Sequence, residues 1–135
     1  MSDLKILIAD DDPDVLKKLA VWLRTEGHDV TVAHDGYQAV EFARRSRPDL
    51  MILDIHMPGG DGFSVQDRTE RLAGLEYIPV IYLTHDRSSS TAELVEQHGA
   101  VAVLYKPFST DDLTEAMQRC HARCEAMRHS ELDVD

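Results

Sequence analysis

The sequence predicts a single doubly wound α/β domain, a five-stranded parallel sheet with helices on both faces. Three observations lead there. Short apolar runs recur along the 135 residues, each run is followed by apolar residues at three- and four-residue spacing, and the junctions carry helix-start and helix-stop residues. Short strands alternating with helices make parallel βαβ units with right-handed crossovers, which cover the sheet on both sides.

The first run, Lys5 to Ala9 (KILIA), is nearly continuous, as expected for a strand buried on both faces. It stops at DDDPD. From Asp12 onward Val15, Leu16, Leu19 and Leu23 share one helical stripe, Pro13 sits in the tolerated first turn, and Gly27 closes the end. Asp29 to Ala33 (DVTVA) is a short β-branched strand. The DG that follows turns into a helix with Ala39, Val40 and Ala43, ending before Pro48. Leu50 to Asp54 (LMILD) is the third strand, and Asp61 and Gly62 begin a helix carrying Phe63, Val65 and Leu72. Val80 to Leu83 is the fourth strand, followed by HDRSSS and a helix through Leu94 and Val95 that stops at Gly99. Val101 to Tyr105 is the fifth. Ser109 then caps a last helix whose stripe is Leu113, Ala116, Met117, Cys120, Cys124 and Met127.

Composition narrows the function. Apolar residues at 43% and charged residues at 29% describe a folded globular chain rather than a disordered one. No run approaches the roughly 18 apolar residues of a membrane helix, and MSDLKILIADDD has no secretory pattern, so a cytoplasmic location without membrane contact is expected. Cys120 and Cys124 lie too close along a helix for an unstrained disulfide, which agrees with a reducing compartment. A net charge of −11, with Lys and Arg scattered, argues against direct DNA binding by this chain.

In sheets of this kind ligands bind outside the carboxyl ends of the strands. Asp10 and Asp11 follow the first strand, Asp54 ends the third, Thr84 follows the fourth and Lys106 the fifth. Carboxylates crowded at one edge repel unless a cation intervenes, and oxygen-only ligands favour Mg²⁺, with Mn²⁺ as the alternative. Phosphoryl transfer needs charge neutralisation and positioning above all, so a metal, the Lys106 ammonium and the Thr84 hydroxyl around one nucleophilic carboxylate would serve it.

Four segments, ILIADDD, DLMILDIHMPGGDG, YLT and YKPF, resemble the response-regulator receiver domain of two-component signalling, in its order and near its spacing, over roughly residues 4 to 122. Residues 123 to 135 would then be a helix extension and acidic tail. The resemblance implies a CheY-like, flavodoxin-like sheet of order 2-1-3-4-5. It implies Asp54 as the phosphoacceptor, Asp11 as a direct Mg²⁺ ligand, Asp10 as its water-mediated orienter, and the backbone carbonyl of His56 as another ligand. Thr84 would reach the phosphoryl oxygen and Lys106 would pair with it, across an expected cis Lys106–Pro107 bond. The donor would be a histidine kinase or phosphotransfer protein, self-catalysed hydrolysis would reset the switch, and an unknown protein target would bind the face of helix four, strand five and helix five.

Two positions depart from the family. Val103 stands where receivers usually carry Tyr or Phe, so no aromatic rotation is available there, and Tyr105 is not an obvious substitute. His85 follows Thr84, where the family mostly has a small residue; its ring either narrows access to Asp54 or points to solvent.

Simpler readings stand beside these. Asp12 reads as a helix cap and Asp14 as a solvated helix residue, while Gly59, Gly60 and Gly62 read as turn residues rather than a phosphate cradle. Cys120, His121 and Cys124 offer too few ligands for a closed zinc site. A stripe reaching Met127 allows a homodimer. Two other functions compete: a phosphorylation-independent docking module of receiver shape, and a Mg²⁺-dependent phosphohydrolase of the haloacid dehalogenase kind, for which Asp10 and Asp12 supply a D-x-D.

Overall fold

The computed structural model describes residues 4–132, with side chains through residue 123. Five strands, β1 (Lys5–Ala9), β2 (Asp29–Ala33), β3 (Leu50–Asp54), β4 (Val80–Thr84) and β5 (Ala102–Tyr105), alternate with helices α1 (Pro13–Thr25), α2 (Gly36–Ser46), α3 (Gly62–Glu70), α4 (Ser89–Gln97) and α5 (Thr110–Leu132). The sheet order is β2-β1-β3-β4-β5 and every pairing is parallel. The expected fold is the observed one.

Alternation along each strand divides the core into two layers. Ile6, Ile8, Leu50, Ile52, Ile81 and Leu83 face α1 and α5, meeting Leu16, Leu19, Leu23, Leu113 and Met117. Leu7, Ala9, Met51, Leu53, Val80 and Tyr82 face the other way, toward Ala39 and Ala43 of α2 and Phe63 and Val65 of α3. Because both sides are covered, every residue of β3 and β4 is buried.

Polar caps start the helices. Side chains of Asp12, Asp35, Asp61 and Ser88 accept hydrogen bonds from the backbone N–H groups of Asp14, Gln38, Ser64 and Thr91. At α5 the cap is reciprocal: Ser109 Oγ accepts from Asp112 N at 3.1 Å, and the Asp112 carboxylate accepts from Ser109 N at 3.0 Å.

Three boundaries differ from the sequence reading. β4 runs one residue further and includes Thr84, while β5 begins at Ala102, although the Val101 N–H still bonds the Val80 carbonyl at 2.9 Å. α3 ends at Glu70, and Leu72 lies beyond it in a turn, donating its N–H to Thr69 and packing beside the second core layer. Apolar spacing alone could not separate a helical residue from a turn residue packed on the same side. Cys120 is buried with α5's core residues, whereas the Cys124 and Met127 side chains lie outside the described ones; the expected extension continues α5 as far as Leu132, and residues 133–135 lie outside the described residues. Among the described residues no helix is long and apolar enough to cross a membrane.

Candidate functional site

Strand register builds the site. Ala9 pairs with Leu53, Asp54 with Leu83, and Thr84 with Tyr105, so Asp10, Asp54, Thr84 and Lys106 leave adjacent strands at one edge of the sheet. The Lys106 N–H donates to the Thr84 carbonyl at 2.9 Å, extending the ladder one step past β5. The Lys106–Pro107 bond is cis, as expected.

Lys106 reaches inward. Its Nζ donates to Asp54 Oδ2 at 2.8 Å and lies 2.6 Å from Asp10 Oδ2. The second contact is an ion pair whose direction is poorer than that of the bond to Asp54, and it is the one polar contact of the buried Asp10 Oδ2 among the described residues. The other carboxylate oxygens are held by backbone: Asp12 N donates to Asp10 Oδ1 and His56 N to Asp54 Oδ1, each at 2.9 Å. Asp10 is fully buried, Asp54 is 4% exposed and Thr84 is 1% exposed. Asp11 is exposed, yet a carboxylate oxygen from each of Asp10, Asp11 and Asp54 lies within 4.8 Å of the others.

The charges are out of balance, with three carboxylates against one ammonium. Burial raises the Asp10 carboxyl above the ordinary carboxylate range, Lys106 and the Asp12 N–H pull it back, and neighbouring Asp54 raises it again. Burial works against the Lys106 ammonium, but its hydrogen bonds and charge contacts with Asp10 and Asp54 outweigh that and leave it raised. A divalent cation fits this set. The donors are all oxygen, and their negative charge exceeds what Lys106 neutralises.

The loop after β3 is pinned close to the nucleophile candidate. Gly62 N–H donates to the Ile55 carbonyl at 3.0 Å, and a β-carbon on Gly62 would stand 2.7 Å from the Asp54 carbonyl oxygen. Gly59 and Gly60, with φ of 76° and 122°, are turn residues as read from the sequence; Gly62 instead permits a close approach of backbone to backbone. The His56 imidazole is exposed and its Nε2 stands 4.0 Å from Asp86 Oδ2, so the ring points away from the carboxylates that its own N–H helps to hold.

The remaining candidates fall around this centre. Asp12 caps α1, accepting from Asp14 N at 3.0 Å, so the D-x-D does not converge on the site. His85 is exposed and lines, with Asp12, Val15, Lys106, Pro107 and Phe108, a cavity of about 180 Å³ at the mouth. Val103 and Tyr105 are half-buried along a groove of about 330 Å³ that Arg87, Asp112, Glu115 and Arg119 also line, and the Arg87 guanidinium sits 4.4 Å from the Tyr105 ring centroid. Sequence reasoning missed Asp86, whose N–H donates to Thr84 Oγ1 at 2.9 Å and whose carboxylate organises the loop into α4. An Asp two residues before a helix-capping Ser was the available signal.

Comparison with known proteins decides the family: the model of the response regulator receiver domain matches residues 6–118. The chain belongs to the receiver domain family. A relative is the transcriptional regulatory protein PdtaR of Mycobacterium tuberculosis (strain CDC 1551 / Oshkosh), 37% identical over 120 residues, which are 88% of this chain and 57% of PdtaR. This receiver thus spans little more than half of that relative. Among solved structures, the chemotaxis response regulator CheY4 of Vibrio cholerae superposes with a TM-score of 0.81 at 28% identity, covering 88% of this chain and 99% of CheY4. The receiver domain of sensor histidine kinase PA1611 from Pseudomonas aeruginosa PAO1, 31% identical with a TM-score of 0.78, covers 87% of this chain and 97% of its own, and holds a magnesium ion in its active-site cleft. Receivers are two-component signalling switches that bind Mg²⁺ at an acidic site and interact with histidine kinases or phosphotransfer proteins.

Proposed function

We propose that this receiver is a phosphorylation-dependent switch whose phosphoacceptor is Asp54. The observation that carries the reading is the setting of that one carboxylate: at the sheet edge, one oxygen on the His56 N–H, the other on Lys106 Nζ, beside Asp10 and Asp11. The Asp10, Asp11 and Asp54 carboxylates and the His56 backbone carbonyl would hold Mg²⁺, or Mn²⁺, which supplies positive charge toward the phosphoryl oxygens.

An Asp54 oxygen attacks the phosphorus of a phosphohistidine on a histidine kinase or phosphotransfer protein. The O–P bond forms as the N–P bond breaks, and the electron pair of that bond leaves with the imidazole nitrogen. Lys106 follows the negative charge, exchanging its bond to the carboxylate for one to a phosphoryl oxygen. Thr84 is prepared for the same role. Its oxygen already accepts from the Asp86 N–H, which leaves its single proton for a phosphoryl oxygen. Attack of water on the acyl phosphate releases inorganic phosphate and restores Asp54. Beyond self-catalysed transfer and hydrolysis this reading assigns no enzymatic turnover, and output passes through contacts with a protein target in the cytoplasm.

Incubation with acetyl phosphate and Mg²⁺ tests the reading by intact mass. One phosphoryl group should be gained, and Asp54→Asn should gain none; absence of any gain, even from a cognate kinase, would point to a docking module instead. Turnover of phosphate esters lost in Asp10→Ala but kept in Asp54→Ala would indicate a phosphohydrolase. Association through the α5 stripe is a further element of the proposal, and sedimentation that yields only monomer with and without the phosphoryl group would remove it.

A further inference from the structure

A signal starting at Asp54 needs a route to the surface, and β5 offers little for one. Val103 is short and half-buried, and the Tyr105 ring is occupied by the Arg87 guanidinium. The loop between β4 and α4 is differently built. Asp86 stands at its centre, joined by its backbone to the site and by its side chain to the helix.

On the site side, the Asp86 N–H donates to the buried hydroxyl of Thr84 at 2.9 Å. On the helix side, Asp86 Oδ1 accepts from Ser88 N at 2.8 Å and Oδ2 accepts from Thr91 Oγ1 at 2.7 Å. Ser88 is itself the cap of α4, and its Oγ accepts from the Thr91 N–H at 3.4 Å. Thr91 is the one buried residue of α4. The helix's apolar packing on the core is limited to half-buried Val95, so polar contacts at its ends contribute much of what positions it. At the amino end that contact is Asp86 to Thr91. At the other end, the Gln66 side chain donates to the His98 carbonyl at 2.9 Å, and His98 Nε2 lies 3.2 Å from Asp67 Oδ1.

We propose that Asp86 is a positioning residue that couples the Thr84 hydroxyl to the first turn of α4 through Thr91, so that phosphorylation of Asp54 moves α4. The inference rests on Asp54 as phosphoacceptor. When the Thr84 oxygen shifts toward a phosphoryl oxygen, the N–H bonded to it either follows or loses its acceptor. Following carries the Asp86 carboxylate along, and the two bonds that carboxylate accepts draw Ser88 and Thr91 with it. The charged acceptor also lies at the positive end of α4, where helix and carboxylate attract each other. Val103 then ceases to be a defect in the switch, because transmission runs along the loop rather than across β5.

Backbone amide NMR shifts of residues 89–97, recorded before and after acetyl phosphate and Mg²⁺ with intact mass measured on the same samples, test this. Wild type should gain the phosphoryl group and show shifts along α4. Thr91→Val should gain it equally, while its phosphorylation-induced α4 shifts fall about twofold or more, and Thr91→Ser, which keeps the hydroxyl, should restore them. A merely structural threonine would alter stability and leave that phosphorylation-induced difference intact. Phosphorylated Thr91→Val with wild-type α4 shifts overturns the coupling; if that variant does not fold, Asp86→Ala, at a half-buried position of the same loop, decides by the same readout. No mass gain in wild type would overturn the phosphoacceptor reading first, which keeps the two failures distinct.

Discussion

β3 and β5 each deliver one charged residue to the same ion pair, yet they are built in opposite ways. β3 is central, paired with β1 and β4, and buried at every position. β5 is the edge strand, paired only with β4, and alternates buried Ala102 and Leu104 with half-buried Val103 and Tyr105. The difference separates a fixed half of the site from an adjustable one. Asp54 is set by a strand that cannot shift without disturbing both core layers, whereas Lys106 and the neighbouring β4–α4 loop are set by a few hydrogen bonds at the margin.

Truncation should expose that contrast most strongly in β3. Ile52→Ala, at a fully buried position, should cost about 2–5 kcal/mol in denaturant unfolding, the usual range for buried Ile to Ala. A smaller but sharper effect concerns the fixed half as a cation site. Mg²⁺ at about 100 times its Kd should add about 2.7 kcal/mol, and Asp11→Ala should abolish most of that increment; an undiminished increment would place the ion elsewhere. Val103→Ala at the edge should cost only about 1 kcal/mol, from about 0.8 kcal/mol per buried methylene discounted for half exposure. Equal losses at residues 52 and 103 would dissolve the distinction between centre and edge.

The smallest expected effect is a pH dependence at the adjustable half. The Thr91 hydroxyl first, then the Ser88 N–H, lower the Asp86 carboxyl from 3.8 to about 2. A carboxyl held below its unfolded value contributes stability that is present above about pH 4 and disappears as pH falls through about 2. Asp86→Asn should therefore lie below wild type in denaturant midpoint above about pH 4 and converge with it toward about pH 2. A constant gap over that window would mean that the charge of Asp86 contributes nothing.

How much of this was legible in the sequence follows from where each residue sits. Asp10, Asp54 and Lys106 could be found because an apolar strand ending in a charged residue is a costly arrangement unless other charges meet it, and topology says which ends meet. Ser109 was legible as a cap because a hydroxyl soon after Pro107 stands one helical turn before Leu113, where the apolar stripe begins. Asp86 was only half legible: its place two residues before the capping Ser88 marks a loop-ordering residue, but only three-dimensional hydrogen bonding shows that it joins Thr84 to Thr91. Gly62 was misread as a turn residue because sequence cannot distinguish a glycine needed for its φ from one needed for its missing β-carbon. The end of α3 was overrun for a related reason, Leu72 being apolar for packing and not for helix periodicity.

Each helix follows a strand of one all-parallel sheet, so all five helices start, capped, at the edge where the carboxylates gather. Their amino-terminal dipoles offset part of the negative charge that Asp10, Asp11 and Asp54 gather at that edge, within a chain of net charge −11. For the proposed transfer, an anionic phosphodonor is thus repelled at a distance, while Lys106 and the helix ends oppose that repulsion at close range. Salt weakens the first effect beyond a Debye length of about 8 Å and scarcely touches the second, so physiological ionic strength favours the encounter.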